Sequence, residues 1–253
     1  MEVISSHPLD RSRLRVVLVR ARNPNNIGAV ARAMHNFGFT DLRLVNDYPV
    51  PLEAARSAID ASAVLQASSV AQTLAEAVAG CTLVVGTTAV GERDIQHTLL
   101  SLSEAAPAIQ SEAARPDSQG RVALLFGSEK TGLSNDELSH CDLLLTIPMA
   151  RHEGLRHPSM NLGQAVAVCL WELIRPGPPI EPTTRQPTDA AEIERVNDLL
   201  YEVLEATEYT RRHGARSDPA EIRRLVHRMS LGTLDAQVWL GILRQILWKI
   251  RRP

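Results

Sequence analysis

Hydrophobic positions along this chain follow two regimes, with the change near residue 175. In the first, short runs rich in β-branched and aliphatic residues alternate with stretches whose apolar positions recur every three or four residues, the mark of strands alternating with helices. The runs predict strands at Leu14 to Val19, Leu42 to Val45, Thr82 to Gly86, Val122 to Phe126 and Leu143 to Ile147. VALLF and LLLTI are apolar at successive positions instead of every second one, so the sheet they enter is expected to be parallel and covered by helices on both faces. Helical spacing runs from Ile27 to Phe37, ended by Gly38, from Val70 to Ala79, ended by Gly80, and from Leu162 to Ile174. The fold class is therefore α/β.

The second regime opens with RPGPPIEPTTRQPT, Arg175 to Thr188, whose five prolines cannot continue a helix and read as a semi-rigid linker. Beyond it, Asp189 is placed to cap a helix reaching about Tyr209, Asp218 with Pro219 behind it starts a second, and Asp235 starts a third. The expected organisation is a sheet domain over 1–174, a linker over 175–188 and a small helical extension over 189–253.

Composition narrows the class. A chain of 253 residues that is 44% hydrophobic buries one sizeable core with length left for an appendage. It has no run of eighteen apolar residues, and the start MEVISSHPLDRSRLR lacks the apolar segment of a secretory signal, so a cytoplasmic protein off the membrane is expected. Cys81, Cys141 and Cys169 stand apart without a C-x-x-C pair and read as reduced core thiols, with no metal site expected. The net charge of −2 hides an uneven distribution: Arg211 to Arg252 holds ten Lys and Arg against three Asp and Glu. A second basic run near the start holds Arg11, Arg13, Arg15, Arg20 and Arg22. Such runs either neutralise phosphates or form a solvated face.

Three loops that follow predicted strands carry the candidate chemistry, since ligands of open α/β sheets bind beyond the carboxyl ends of the strands. The first, RARNPNNIGAVARAMHNFG, offers Asn26 as a helix cap, Gly28 for close approach and Arg32 two turns on. The second, LLFGSEKTGLSNDEL, holds Gly127, Glu129 and Gly132 before a short helix near Ser134. A Walker A loop would need Lys and Ser/Thr after its second glycine, where Leu133 and Ser134 stand, and Glu129 occupies the place of the second glycine of a dinucleotide fingerprint. Phosphoryl transfer is thereby disfavoured. The third, IPMARHEGLRHPSMNLGQAV, passes through Arg151, His152, Arg156 and His157, a basic excursion that is either a lid over a polyanion or a solvated loop, to Ser159 and Asn161 at the head of an apolar helix. Its histidines lack the spacing of a zinc helix.

Together these loops resemble the three motifs of the SpoU/TrmH branch of the SPOUT RNA methyltransferases. N-x-G-x-x-x-R-x-x-x-x-F-G is present as Asn26, Gly28, Arg32, Phe37 and Gly38; F-G-x-E-x-x-G runs from Phe126 to Gly132; and I-P…S-x-N-L runs from Ile147 to Leu162. The resemblance covers the chain to about Arg175, and the tail segments from Leu199 to Thr207 and from Ile222 to Leu231 are similar to those of the TrmJ subgroup. The resemblance implies a C-terminal trefoil knot in the sheet domain, a homodimer, and S-adenosyl-L-methionine bound bent among Thr87, Thr88, Ala89, Gly127, Ile147, Met149 and the turn Pro158, Ser159, Met160. It implies catalytic positions at Arg32, Ser159, Asn161, Asn26 and Glu129, with methyl transfer to a ribose 2′-hydroxyl of RNA. By the subgroup, the expected substrate is tRNA at cytidine or uridine 32, where the anticodon loop begins.

Arginine has a pKa above about 12 and rarely gives up a proton, so Arg32 is expected to hold a phosphate and stabilise developing alkoxide charge. The stretch from Met149 to Ser159 is longer and more basic than the subgroup's connection, which leaves the target position more open than the reaction. The competing readings are a ribosomal RNA target and an RNA-binding protein that kept the frame without turnover. A binding protein would need the arginine but not the full set of Asn26, Glu129, Ser159 and Asn161.

Overall fold

The computed structural model describes residues 9–46, 62–89, 97–115, 120–150, 159–175, 188–212 and 218–252. Seven parallel strands form one sheet: β1 (Leu14–Val19), β2 (Asp41–Val45), β3 (Ser69–Ala71), β4 (Cys81–Thr87), β5 (Leu99–Ser101), β6 (Arg121–Phe126) and β7 (Leu143–Thr146). Their spatial order is β3-β2-β1-β6-β4-β7-β5, so the apolar strands β1 and β6 lie at the centre, with β1 buried at every position. The register aligns Leu18 with Phe126, Gly86 with Leu125, and Thr87 with Leu145. This brings the carboxyl ends of β1, β6, β4 and β7 to one edge in that order.

Helices cover both faces, as the all-apolar strands require. On one face, α1 (Pro24–Phe37), α2 (Ser62–Ala67), α4 (Leu102–Ala114) and α6 (Leu162–Ile174) contribute to a core built on Val16, Leu18, Met34, Phe39, Ile109, Leu124 and Leu170. On the other, α3 (Leu74–Val78) and the one-turn α5 (Asn135–Leu138) pack over Val17, Val84, Ala123, Leu125 and Cys141. All three cysteines are unpaired and buried, and burial pushes the thiols of Cys81 and Cys169 up to about 12, beyond ordinary reactivity.

The tail is helical, with α7 (Ala190–Ala206), α8 (Tyr209–Arg212), α9 (Pro219–Arg228) and α10 (Thr233–Ile250). It has its own apolar cluster around Val196, Val203, Val226, Leu240 and Leu243. It also docks on the sheet's second face. Asp189 caps α7 and accepts the Gly80 N–H at 3.1 Å, Ala190 enters that face's core, His140 meets Glu194 at 2.8 Å and His227 meets Asp142 at 2.8 Å. No helix among the described residues is long and apolar enough to cross a membrane.

Several sequence expectations are corrected. Val70 belongs to strand β3, and helix α3 starts only at Leu74, because Thr73 caps it by accepting the Glu76 N–H. Strands β3 and β5 are three-residue edge strands, too short to show a period. Helix α1 begins at Pro24 with Asn23 as its cap, so Asn26 sits inside the first turn. Helix α7 stops at Ala206, and α10 begins at Thr233 with Asp235 in its first turn, bonded back to the Gly232 N–H. Of the N-terminal basic run, Arg13, Arg15 and Arg20 serve the fold. Arg13 donates to the carbonyls of Gly120 and Arg115, and Arg15, 4% exposed, pairs with Asp41 at 3.0 Å and donates to the Ala77 and Ala79 carbonyls. A buried guanidinium is tolerable when it is partnered in this way, and Arg15 is unavailable to phosphates, while Arg13 and Arg20 are half-buried. The linker at 176–187 lies outside the described residues.

Candidate active site at the carboxyl edge of the sheet

The first motif leaves β1 through Arg20 to Asn23 and enters α1. Arg20 holds a left-handed φ of +55°, which costs a non-glycine residue about 1 kcal/mol or more. Its guanidinium forks onto Glu137, Nε to Oε1 at 2.6 Å and Nη2 to Oε2 at 2.9 Å, and Nη2 also donates to the Gly132 carbonyl at 3.2 Å. Gly132 closes the second motif's loop, and Glu137 lies in α5 just after it. Asn23 caps α1 by accepting the Asn25 N–H at 3.0 Å, leaving the Asn26 amide to turn towards the other loops.

The second motif leaves β6 and doubles back on itself. A side chain at Gly127 would stand 2.1 Å from the Gly132 carbonyl carbon, and Gly132 has φ +66°, so the fold-back needs glycine at both places. Ser128 bridges to Gly132 and shares its hydroxyl with Thr131 at 2.8 Å. At the tip, Glu129 accepts the Asn26 amide at 3.0 Å and faces the N–H groups of Asn23 and Arg22 at 3.3 and 3.4 Å. Partial burial pushes this carboxyl up, but those hydrogen bonds outweigh burial and hold it below its ordinary value. A carboxylate aimed at the start of α1 also complements the helix dipole.

The third motif joins through Asn161. Its Oδ1 caps α6, accepting the N–H of Gly163 at 2.9 Å and Gln164 at 3.4 Å, which fixes the amide so that Nδ2 donates to Asn26 Oδ1 at 3.1 Å. A one-way relay results: α6 terminus to Asn161, Asn161 to Asn26, Asn26 to Glu129. Each amide's orientation is set by its neighbour, and the three loops become one unit. Helices α1 and α6 meet tightly beside it, since a side chain at Gly163 would lie 2.6 Å from the Ala29 Cβ. Arg32, exposed and one turn beyond Ala29, emerges next to this seam.

The expected cofactor residues line the neighbouring stretch of the same edge. Thr87 ends β4 with its hydroxyl on the Leu125 carbonyl at 2.8 Å, and the Thr88 N–H bonds the Leu145 carbonyl at 3.0 Å. Gly127 follows β6, and Ile147 and Met149 follow β7, half-buried on either side of exposed Pro148. Met160 is half-buried, and Ala89 and Ser159 are exposed. This lining suits an adenosyl sulfonium: apolar side chains for the adenine, hydroxyl and backbone groups for the polar parts, and no basic side chain among these positions to repel the positive sulfur. Pro158, with Arg151, His152, Arg156 and His157, lies outside the described residues. Among the described residues no cluster of His, Cys, Asp and Glu is arranged to hold a metal ion.

Of the residues named from sequence, Asn26, Glu129 and Asn161 meet in the fold, and two others that shape the site were not singled out. Asn23 is the true cap, legible from Pro24 at the first helical position. The Arg20 fork was hidden, since Arg20 read only as part of a basic run, although Ser134 and Glu137 at capping-box spacing placed Glu137 at the head of α5.

Comparison with known proteins shows which family the chain belongs to. Residues 13–171 match the SpoU rRNA Methylase family. The chain is 34% identical over 241 residues to the tRNA (cytidine/uridine-2'-O-)-methyltransferase TrmJ of Sodalis glossinidius, covering 92% of this chain and 91% of that protein. It is 34% identical over 247 residues to the tRNA (cytidine/uridine/adenosine-2'-O-)-methyltransferase TrmJ of Pseudomonas aeruginosa, covering 92% and 93%. The crystal structure of TrmJ from Z. mobilis ZM4 superposes with a TM-score of 0.77 at 30% identity, over 92% of this chain and 98% of that one.

Proposed function

We propose that this chain, which belongs to the SpoU rRNA methylase family and within it to the TrmJ group, methylates a ribose 2′-hydroxyl of transfer RNA with S-adenosyl-L-methionine as donor. The observation that carries the reading is the relay from Asn161 through Asn26 to Glu129, which locks the three motif loops together beside the carboxyl ends of β4, β6 and β7.

A ribose hydroxyl is a weak nucleophile and must be held in line; as its oxygen gained the methyl carbon, the carbon–sulfur bond of the donor would break and the hydroxyl proton would pass to solvent water. S-adenosyl-L-methionine supplies an electrophilic methyl group on a sulfonium. Thr87, Thr88, Ala89, Gly127, Ile147, Met149, Pro158 and Met160 hold the donor. Arg32, at the seam of α1 and α6, holds the target phosphate and offsets the negative charge growing on the ribose oxygen. Ser159 positions the hydroxyl. The structure bears on the part given to Asn161, whose amide is committed to capping α6 and orienting Asn26, so it acts by holding Ser159 and the relay in place. Glu129, ionised, keeps the second loop against the first.

The substrate side draws on the tail. Arg211, Arg212, Arg228, Arg244, Lys249, Arg251 and Arg252 are exposed, and they are the groups we assign to tRNA phosphates. The sheet domain over 1–174, knotted towards its end, and the helical extension over 189–253 work together in a cytoplasmic homodimer. Exposed Val168 and Trp171 on α6, with the Trp171 ring 6.2 Å from that of Phe37, support a second copy covering that helix. The modified nucleotide is cytidine or uridine 32.

Incubation of the purified protein with radiolabelled S-adenosyl-L-methionine and either tRNA or ribosomal RNA tests the reading. Label on a ribose at nucleotide 32 of tRNA is expected. Label on ribosomal RNA alone would replace the substrate, and donor or RNA binding without label would leave a binding protein.

A further inference from the structure

Among the described residues, Arg20 is the one non-glycine residue of the site loops with a left-handed φ, and its guanidinium reaches Gly132 of the second motif's loop and Glu137 of α5. The other two described non-glycine residues with positive φ, Glu208 and Ser230, lie in the tail. The Arg20 backbone N–H is pinned to the Val45 carbonyl at 2.8 Å, and its guanidinium reaches Glu137 and the Gly132 carbonyl at the base of the second loop. At that loop's tip, charge runs the other way: Glu129 takes the N–H groups of Arg22 and Asn23 and the Asn26 amide. The two loops are thus fastened twice, once by a cation reaching out from β1 and once by an anion reaching back. Glu137 is 14% exposed at its side chain, and its Oε2 also accepts the Ser134 N–H, so the Arg20 anchor is itself fixed to α5. Burial pushes the Glu137 carboxyl up, yet the Arg20 and Ser134 contacts hold it below its ordinary value, which keeps the pair charged at neutral pH.

We propose that the Arg20–Glu137 fork is a positioning device for methyl transfer: it sets the distance between the loop that presents Arg32 and Asn26 and the loop that borders the donor cleft. The claim rests on the methyltransferase reading above. The backbone conformation itself does not require Arg at this place, because glycine adopts the same φ without strain. The arginine is explained by what its side chain holds. Neither residue touches substrate or donor in this account; both act through Glu129, Asn26 and Arg32.

The test compares wild type with Arg20→Gly, Arg20→Lys, Glu137→Gln and the Arg20→Gly/Glu137→Gln double variant. Gly removes the fork while relieving the backbone, Lys keeps the charge but cannot fork, and Gln keeps the α5 capping box while losing the charge. Turnover at saturating donor and tRNA is expected to fall about tenfold to hundredfold in Arg20→Gly and Glu137→Gln, with Arg20→Lys between them and wild type. Donor affinity should stay within about threefold and the melting temperature of Arg20→Gly within about 3 °C, with the double variant no worse than the poorer single one. Turnover within about twofold of wild type, or losses that multiply in the double variant, would overturn the proposal. Amide hydrogen exchange gives a second arm that does not depend on activity. Exchange at Arg22 and Asn23 should quicken in Arg20→Gly while exchange in α1 beyond Ile27 is unchanged, and equal protection would overturn the clamp. A wild-type protein that never methylates RNA would sink the functional reading instead, with the exchange arm still judging the clamp.

Discussion

Replacing Asn161 in two ways separates its structural work from its chemical work. Asn161→Ala removes the two cap bonds to Gly163 and Gln164 and the donor to Asn26. A lost cap costs about 1 kcal/mol and a lost exposed hydrogen bond about as much, so roughly 2 kcal/mol goes, or about 4 to 8 °C for a chain of this size. Asn161→Asp keeps the cap, and its charge favours the start of α6 by about 0.3–1 kcal/mol. What it cannot keep is the direction of the relay. Asn26 either faces the new carboxylate with its own oxygen or flips and turns that oxygen on ionised Glu129. The expected result is an Asp variant that melts within about 2 °C of wild type yet turns over about tenfold to hundredfold more slowly, with an Ala variant that loses both. Calorimetric melting and single-turnover methyl transfer read the two quantities. Wild-type turnover in the Asp variant would refute the relay, and an Asp variant as unstable as the Ala variant would refute the cap.

Arg32→Ala is expected to abolish methyl transfer while donor affinity by calorimetry stays within about twofold; retained turnover would remove Arg32 from the mechanism. Changing Arg244, Lys249, Arg251 and Arg252 together to Gln should weaken tRNA binding and flatten its dependence on salt without lowering the melting temperature, and an unchanged salt slope would place the RNA elsewhere. Gly163→Ala forces a methyl group to 2.6 Å from the Ala29 Cβ, so a loss of about 1–3 kcal/mol and of activity is expected from denaturant unfolding and transfer assays, and neutrality would mean that the seam yields. His97 supplies a pH signature: burial, then electrostatic repulsion from the side of Arg224, His227 and Arg228, push its pKa below 6.5, with Asp142 opposing. As pH falls through about 6.5 the unfolded chain takes up a proton that the folded chain resists, so the melting temperature should decline from there downward, and His97→Gln should flatten that limb. Glu137 and Glu194, depressed in the folded state despite burial, stabilise above about 4.5 and lose that contribution as pH falls further, which predicts a second, steeper decline.

How much of this was legible in the sequence follows from how local each signal is. Apolar runs placed β1, β4, β6 and β7 within a residue at each end, because strands buried on both faces declare themselves by composition. Edge strands β3 and β5 did not, since three residues carry no period and their pairing with β2 and β7 is a tertiary fact. Motif spacing named Asn26, Glu129 and Asn161, yet only the fold shows that Asn26 stands between the other two, and that Asn23, not Asn26, is the cap. The basic run at the start misled because charge count cannot tell Arg15, buried on carbonyls, from exposed Arg22. The Arg20 fork depends on a left-handed φ and a partner 117 residues away, neither of which is visible in a window of sequence.

Hydrogen exchange of the purified protein with and without S-adenosyl-L-methionine tests most directly whether three distant segments make one donor site. Saturating donor is predicted to slow exchange together in 87–89, 127–133 and 147–161, with the far face of the tail unaffected. Protection confined to one segment, or none at any donor concentration, would contradict it.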